Sequence, residues 1–308
     1  MKKIQIFVMI VALLFSLAAS AEEKKSGETE TVKAYASVGG LKMYYEIHGS
    51  GMPLVLIHGG LCTIEACFGK LIPPIAKTRR VIAMELQAHG HTADIDRPLT
   101  YPHLANDVVA LLGQLGVRQA DFLGYSIGSR VALEITMRHP GLVRKLVLAG
   151  GSYNKSGVYP EVYANIEKLK PENFEGSPWL EAYRKVAPNP QQWPGLLDRI
   201  RQISLEFVGW PAEAIQSIKA PALVVVGDSD MVRPEHAMEL FRLLGGGVPG
   251  DLAGLPRSQL AVLPGTTHFT LMDRPDWLVS MITAFLDLPA GQEGASAPKS
   301  MPRGGPPK

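Results

Sequence analysis

The stretch that most constrains the fold is Gly124-Tyr125-Ser126-Ile127-Gly128, a Gly-x-Ser-x-Gly pattern between two different periodicities. The preceding run, 120–123, is short and mostly apolar, whereas the following residues are apolar at helical spacing as far as His139-Pro140. A strand that turns at once into a helix has no room for a Cβ at the two flanking positions of the motif, two residues before and two residues after the serine, and both hold glycine. The strained turn exposes the serine hydroxyl at the start of the helix, where N–H groups can stabilise an oxyanion. The stretch predicts a nucleophilic serine at position 126.

Apolar runs and helical patterns alternate along the rest of the chain. Strands are predicted at 32–38, 41–47, 54–57, 80–86, 120–123, 146–149, 222–226 and 260–263, the first two joined by the turn signal Gly39-Gly40. Helices are predicted at 68–76, 101–115, 236–244 and 277–286. Such alternation predicts an α/β fold with a mostly parallel, doubly wound sheet.

This alternation is interrupted between residues 152 and 218. The region from Gly151 to Ile218 holds three of the four tryptophans and four of the nine tyrosines, with scattered prolines. We interpret 152–218 as a helical cap inserted after the sixth strand, with 32–151 and 219–288 forming the core. The cap aromatics either fill the cap's own small core or line a substrate pocket, and the sequence leaves both open.

Both ends of the chain differ in composition from this core. Residues 1–21 show a basic start, an apolar run and the cleavage pattern Ala19-Ser20-Ala21, which predicts a signal peptide. The alternative, a membrane anchor, would need about 20 apolar residues. Residues 22–31 are a polar linker, and 289–308 form a tail rich in Pro, Gly, Ala and Ser that we expect to be disordered. A cleaved signal predicts a periplasmic or secreted protein.

The charge balance restricts the class of partner. Loss of residues 1–21 removes Lys2 and Lys3 and no acid, which leaves 29 Lys and Arg against 29 Asp and Glu. No block of basic residues occurs, so neither nucleic acid nor an anionic membrane surface is expected as a partner. The expected partner is a small-molecule substrate, and the sequence does not indicate an oligomeric state.

The two cysteines, Cys62 and Cys67, can be read in two ways. Five residues apart on a regular helix, they would face different sides, so a disulfide requires an irregular start to that helix. A disulfide and a pair of buried thiols both stay open. Two cysteines alone do not form a zinc site, and no ligand cluster accompanies His89 and His91, so no metal is expected.

Three further motifs accompany the serine in chain order. His58-Gly59-Gly60 follows the third strand, Gly227-Asp228-Ser229-Asp230 follows a late strand, and Pro264-Gly265-Thr266-Thr267-His268 follows the last strand. The order Ser, Asp, His is that of the α/β-hydrolase family. The sequence resembles this family from about Tyr35 to Leu286, and the resemblance implies an α/β-hydrolase fold.

The chemistry of acyl transfer assigns a role to each motif. Ser126 is the expected nucleophile and His268 its base, because a serine hydroxyl needs a group that accepts its proton near neutral pH. The base needs a carboxylate, and the resemblance favours Asp230 over Asp228. The oxyanion hole is expected to use the N–H groups of Ile127 and Gly60, with Leu61 as the alternative to Gly60. His58 is expected to brace its loop. No cofactor is implied.

The resemblance implies a hydrolase that works through an acyl-enzyme. Glu85 stands where family members often carry Asp, which is a departure from the family pattern. Separately, serine at 126 excludes the relatives that use an aspartate nucleophile. The leading hypothesis is an exported carboxylic-ester or lactone hydrolase, similar to the serine-dependent esterases that open macrolide antibiotics. The alternatives are an amidase or peptidase resembling the proline iminopeptidases, in which Pro-Gly follows His-Gly-Gly where this chain has Leu61-Cys62, and a non-catalytic binding protein on the same scaffold.

Overall fold

An eight-stranded sheet forms the centre of the computed structural model, which describes residues 31–289. Its strands are β1 (Val32–Val38), β2 (Leu41–His48), β3 (Met52–Ile57), β4 (Arg79–Met84), β5 (Ala120–Tyr125), β6 (Val143–Ala149), β7 (Ala222–Ser229) and β8 (Gln259–Thr267). Their order across the sheet is β1-β2-β4-β3-β5-β6-β7-β8. Strand β2 runs antiparallel to both β1 and β4, and all other neighbours are parallel. The predicted mostly parallel α/β-hydrolase sheet is confirmed.

Helices cover the sheet and form the insertion. They are α1 (Ile64–Phe68), α2 (Ile72–Ile75), α3 (Tyr101–Gln114), α4 (Ile127–Arg138), α5 (Pro160–Glu167), α6 (Pro178–Val186), α7 (Trp193–Leu205), α8 (Ala212–Gln216), α9 (Pro234–Leu243), α10 (Gly250–Ala253) and α11 (Pro275–Asp287). Four of them, α5 to α8, lie between β6 and β7, where the sequence predicted the cap. Among residues 31–289, none of these helices is long and apolar enough to span a bilayer.

The apolar central strands are buried on both faces. In β3, Val55 and Ile57 pack into one core layer, and Leu54 and Leu56 pack into the other. Successive side chains of a strand point to opposite faces, so a continuous apolar run requires a layer of helices on each side. The predicted signal peptide, almost all of the linker and the tail from residue 290 onward lie outside the described residues.

The prediction of one helix over 68–76 was wrong. The structure instead has α1 and α2, separated by residues 69–71. Pro73 and Pro74 lack N–H donors and are tolerated in the first turn of a helix, so the chain starts a new helix at Ile72.

Cys62 and Cys67 are joined by a disulfide, with their Cα atoms 5.9 Å apart. Thr63 caps α1 and its hydroxyl accepts a hydrogen bond from the Ala66 N–H, so Cys62 lies outside the helix and Cys67 within it. This is the irregular helix start that pairing requires, and the structure therefore favours the disulfide over a pair of buried thiols.

Candidate active site

Ser126 occupies a sharp turn between β5 and α4. Its φ is 55° and its ψ is −116°, a combination that costs a non-glycine residue free energy. A Cβ on Gly128 would lie 2.0 Å from the Ile57 carbonyl oxygen, and one on Gly124 would lie 2.3 Å from the Gly128 carbonyl oxygen. Neither position accepts a larger residue without movement of the backbone. The two glycines therefore allow the strained serine turn.

Three predicted side chains form one hydrogen-bonded chain. His268 Nε2 lies 2.8 Å from Ser126 Oγ, and His268 Nδ1 lies 2.7 Å from Asp230 Oδ1. Asp230 and His268 are 4% and 8% exposed, so both bonds are shielded from solvent. If Nδ1–H donates to the carboxylate, Nε2 is left as the acceptor for the serine proton. This arrangement can activate a serine for attack on a carbonyl carbon.

The two aspartates that follow the core of β7 lie in different surroundings. Asp230 faces the imidazole, and its Oδ1 also accepts a hydrogen bond of 3.0 Å from the Val232 N–H. Asp228 is exposed, and its carboxylate accepts hydrogen bonds from the N–H groups of Gly265 and Thr266. The structure thus brings Asp230 to the site and uses Asp228 to hold the loop before His268.

Two residues outside the predicted set position His268. The Tyr125 hydroxyl donates a 2.8 Å hydrogen bond to the His268 carbonyl oxygen. Gly150 has a φ of +56°, and a Cβ there would lie 3.0 Å from the imidazole Nδ1. In the sequence, nothing marks Tyr125 apart from its place within the serine motif. Gly150 did carry a recognisable signal, because it is a glycine directly after a predicted strand.

The candidate oxyanion donors surround the serine. Ile127 is the first residue of α4, so its N–H has no partner within the helix. A Cβ on Gly59 would lie 3.0 Å from Ser126 Cβ, so the loop after β3 passes close to the nucleophile. Gly60 and Leu61 both line the cavity beside Ser126, and Leu61 has a φ of 62°. In the described chain neither N–H donates a hydrogen bond, so both remain candidates for the second donor.

His58 links the oxyanion loop to the segment that follows β4. Its Nδ1 lies 2.7 Å from the Gly59 carbonyl oxygen, and its Nε2 accepts a 3.0 Å hydrogen bond from the Leu86 N–H. These bonds require the neutral ring with the proton on Nδ1. Complete burial lowers the pKa of His58 to about 3, which also keeps the ring neutral. His58 is thus placed to brace the loop, as predicted from the sequence.

Glu85 and the histidines near it form a polar cluster behind this loop. Glu85 accepts hydrogen bonds from the Ile64 N–H and the His91 N–H, and its carboxylate lies 2.9 Å from His91 Nδ1. His89 is buried and its Nδ1 lies 2.8 Å from the Gln87 carbonyl oxygen. Within residues 31–289, no three His, Cys, Asp or Glu side chains are grouped as a metal site would require.

A cavity of about 360 Å³ opens beside Ser126 and His268, between the sheet and the cap. Its wall is largely apolar, and the cap contributes Val162, Tyr163, Phe174 and Trp179. Trp193 and Tyr183 are instead buried in the cap, and Trp210 Nε1 donates to Glu134. The cap aromatics therefore divide between the two roles that the sequence left open.

Arg130 also lines this cavity and was not among the predicted site residues. It lies on α4, one helical turn after Ser126, and is 8% exposed. The signal was present in the sequence, because a charged residue stands within the apolar stretch that follows the serine.

Comparisons with known proteins agree with this architecture. Residues 54–281 match the family model described as the alpha/beta hydrolase family. The chain is 29% identical over 269 residues to the dihydrolipoyllysine-residue acetyltransferase component of the acetoin cleaving system of Pseudomonas putida, covering 82% of this chain and 68% of the relative. It is 26% identical over 307 residues to 2-hydroxy-6-oxo-6-(2'-aminophenyl)hexa-2,4-dienoic acid hydrolase of Metapseudomonas resinovorans, covering 89% of this chain and 97% of the relative.

A solved structure is also similar to this chain. The meta-cleavage product hydrolase from Pseudomonas fluorescens IP01 superposes with a TM-score of 0.67 at 20% identity, over 83% of this chain and 97% of that one. At this identity the likeness shows the fold alone.

Proposed function

Because the chain belongs to the α/β-hydrolase family, we propose that it is a serine hydrolase that cleaves a carboxylic ester or lactone through an acyl-enzyme. The observation that carries the proposal is the chain of hydrogen bonds from Ser126 through His268 to Asp230, at 2.8 and 2.7 Å. Family membership supports a hydrolase, and this geometry supports serine as the group that attacks.

In the first half of the proposed reaction, Ser126 Oγ attacks the carbonyl carbon while His268 Nε2 takes the hydroxyl proton. The Asp230 carboxylate stabilises the imidazolium that forms. The carbonyl oxygen becomes an oxyanion, held by the N–H of Ile127 and by that of Gly60 or Leu61, each worth roughly 3 kcal/mol. Collapse of this intermediate breaks the ester C–O bond, and His268 returns the proton to the leaving alcohol.

The second half releases the acyl group. Water replaces the alcohol, and His268 takes a proton from it as the water attacks the acyl carbon. The second tetrahedral intermediate uses the same oxyanion donors. Its collapse breaks the bond between the acyl carbon and Ser126 Oγ, His268 returns the proton to Oγ, and the carboxylic acid is released. In a lactone, the released alcohol and acid are the two ends of one opened ring.

The cavity supports a small substrate. Its volume of about 360 Å³ is near the lower end of the range for small-molecule sites. A macrocyclic lactone is bulkier, so the cap would have to move away from β5 and β6 to admit it. We therefore propose a short ester or small lactone as the substrate class, and macrocyclic lactones form a separate arm of the test.

The alternatives from the sequence receive less support. A protein that only binds a ligand would not need an intact triad beside its cavity. A peptidase is supported only by the short resemblance at His58-Gly59-Gly60. The relatives named for dienoic acids and meta-cleavage products act on other substrates, and fold alone does not separate these from esters.

We further propose that the protein acts after export, in the periplasm or outside the cell. The pattern of residues 1–21 supports this proposal, and so does a disulfide between Cys62 and Cys67, because disulfides persist in oxidising compartments. N-terminal sequencing of the secreted or periplasmic protein tests it: Glu22 as the first residue agrees with cleavage, and retention of Met1 overturns it.

The experiment that tests the activity compares the wild-type protein with Ser126→Ala on short and long acyl esters, small lactones, macrocyclic lactones, a meta-cleavage product and prolyl peptides. Mass spectrometry identifies which substrates gain water. Turnover of esters or lactones by the wild type, with a loss of at least ~10³-fold in the variant, supports the proposal. Equal turnover in both proteins, or turnover of the peptides alone, overturns it.

A further inference from the structure

Arg130 is a buried cation that has no anionic partner among residues 31–289. Its guanidinium donates hydrogen bonds to the Tyr101 hydroxyl at 2.9 Å, and to the Ser152 hydroxyl and carbonyl oxygens at 2.8 and 3.3 Å. Its central carbon lies 4.1 Å from the centre of the Phe207 ring. No carboxylate in the described part of the chain forms an ion pair with it. All of its polar contacts are therefore to neutral groups.

Other shielded arginines of the protein differ in this respect. Arg79 bonds to Asp121, and Arg97 bonds to Asp107. Glu134 follows Arg130 by one turn of α4, but its carboxylate accepts from Trp210 Nε1 and pairs with Arg138. An uncompensated buried charge lowers stability, and charged residues are seldom buried unless they are paired. Arg130 thus has the environment of a residue whose counter-ion comes from a ligand.

Arg130 is one of the residues that line the cavity beside Ser126. A guanidinium has five N–H donors, and the three hydrogen bonds to Tyr101 and Ser152 use three of them. Tyr163 lines the same cavity, and its buried hydroxyl interacts with the Arg130 guanidinium. Burial raises the pKa of this hydroxyl, and the Arg130 guanidinium opposes that rise. Together these groups form a polar end in an otherwise largely apolar cavity.

We propose that Arg130, assisted by Tyr163, binds a carboxylate of the substrate, so that the substrate is an ester or lactone that carries a second, ionised carboxyl group. This inference rests on the proposed function, because it takes Ser126 as the group that attacks the ester. Arg130 follows Ser126 by four residues, on the first turn of α4, and both residues line one cavity of about 360 Å³. A short carbon spacer between the scissile carbonyl and the carboxylate therefore fits.

The test compares pairs of esters that differ only in this charge. The substrates are methyl monoesters of glutaric, adipic and suberic acid, each paired with the analogue in which the free carboxyl is a carboxamide. The wild-type kcat/KM is expected to be roughly 10- to 100-fold higher for the acid of the best pair, as for a hydrogen bond to a charged group. Arg130→Gln is expected to bring this ratio near one, and Arg130→Lys to retain part of it.

Arg199→Gln is the matched control, because it removes the same charge from a cap arginine that bonds Asp94 and does not line the cavity. This control is expected to keep the wild-type ratio. Hydrolysis of both esters at the same rate by the wild type, or an unchanged ratio in Arg130→Gln, overturns the inference.

A binding measurement on the wild type separates this inference from the proposed function and does not depend on folding of the variants. Calorimetric titration with adipate and with adipamide is expected to show binding of the diacid at least ~10-fold tighter. Binding of adipate without ester hydrolysis would leave the anion site standing and overturn the proposed function. Hydrolysis of neutral esters without adipate binding would overturn the anion site and leave the proposed function standing.

Discussion

At the scale of single residues, the site depends on which of two neighbouring aspartates faces the imidazole. Asp230 is buried against His268 Nδ1, whereas the exposed Asp228 accepts N–H bonds from the loop that carries His268. A carboxylate in the first position fixes the tautomer of the base, and one in the second position supports only the backbone. The two side chains have the same chemistry, and their surroundings give them different roles.

The same substitution, Asp to Asn, is therefore expected to have different effects on activity at the two positions. Asp230→Asn is expected to lower kcat on an ester substrate by about 10⁴-fold, because the amide favours the wrong imidazole tautomer. Asp228→Asn keeps one acceptor oxygen for the loop and is expected to remain close to wild type. Steady-state kinetics of the two variants checks this, and a larger loss in Asp228→Asn would reverse the assignment.

The buried histidines behind the oxyanion loop predict how stability depends on pH. Burial lowers the pKa of His58 to about 3 and that of His89 to about 4. Below about pH 6.5 the unfolded chain binds protons at these rings that the folded chain does not, so the free energy of unfolding falls as the pH falls. The slope is roughly 1.4 kcal/mol per pH unit for each histidine down to the folded pKa.

Urea unfolding at several pH values between neutral and about pH 4.5 measures this slope. His89→Gln is expected to reduce it by the contribution of one proton, whatever the variant does to stability at neutral pH. A slope that is the same in the variant and in the wild type would contradict the argument.

At the scale of elements, the close approach of β3, β5 and α4 places the serine. Gly128 lies against the Ile57 carbonyl at the end of β3, so α4 starts directly beside the loop that carries Gly59 and Gly60. The start of the helix and the oxyanion loop are consequently both held next to Ser126. This packing, rather than any single hydrogen bond, determines the geometry of the nucleophile.

A pair of glycine substitutions tests the role of this contact. Gly128→Ala places a Cβ 2.0 Å from the Ile57 oxygen, and it is expected to cost about 1–3 kcal/mol of stability and most of the activity. Gly113→Ala lies in α3 with no atom within 4 Å of the new Cβ, and it is expected to stabilise by up to about 1 kcal/mol. Thermal unfolding and ester hydrolysis measure both, and equal effects at the two sites would refute the contact argument.

The disulfide at the start of α1 gives a further prediction. A bond between Cys62 and Cys67 closes a short loop, and its removal in the Cys62→Ser/Cys67→Ser variant is expected to cost about 2 kcal/mol through chain entropy. Thiol titration of the denatured, unreduced wild type should detect no free thiol. Two reactive thiols together with an unchanged urea midpoint would show that the cysteines are not paired.

At the scale of the whole molecule, most of the architecture could be predicted from the sequence. Buried parallel strands are recognisable in the sequence as continuous apolar runs such as 54–57. The four motifs follow strands, and the carboxyl ends of parallel strands meet at one edge of the sheet. The residues of the hydrogen-bonded chain, Ser126, Asp230 and His268, were therefore identifiable. The split of the helix at residues 69–71 was missed because Pro73 and Pro74 suit a first helical turn as well as a break.

Other features depend on contacts between distant segments. The pairing of Cys62 with Cys67 required knowledge of where α1 begins, and the position of Tyr125 against His268 joins residues far apart in the chain. Arg130 carried a signal, a charge in an apolar stretch, but only the structure shows that no carboxylate among residues 31–289 pairs with it. Tertiary contacts of this kind leave no local pattern in the sequence, so only the motifs, and not these contacts, could be predicted from it.

The central claim is that Ser126 is an activated nucleophile, and covalent labelling tests it most directly. The folded wild-type protein and Ser126→Ala are incubated with a fluorophosphonate, and the labelled residue is located by mass spectrometry of the digested protein. One label per wild-type chain is expected, on Ser126, and none on the variant. Labelling of the variant to the same extent, or no label on a wild-type protein that hydrolyses esters, would contradict it.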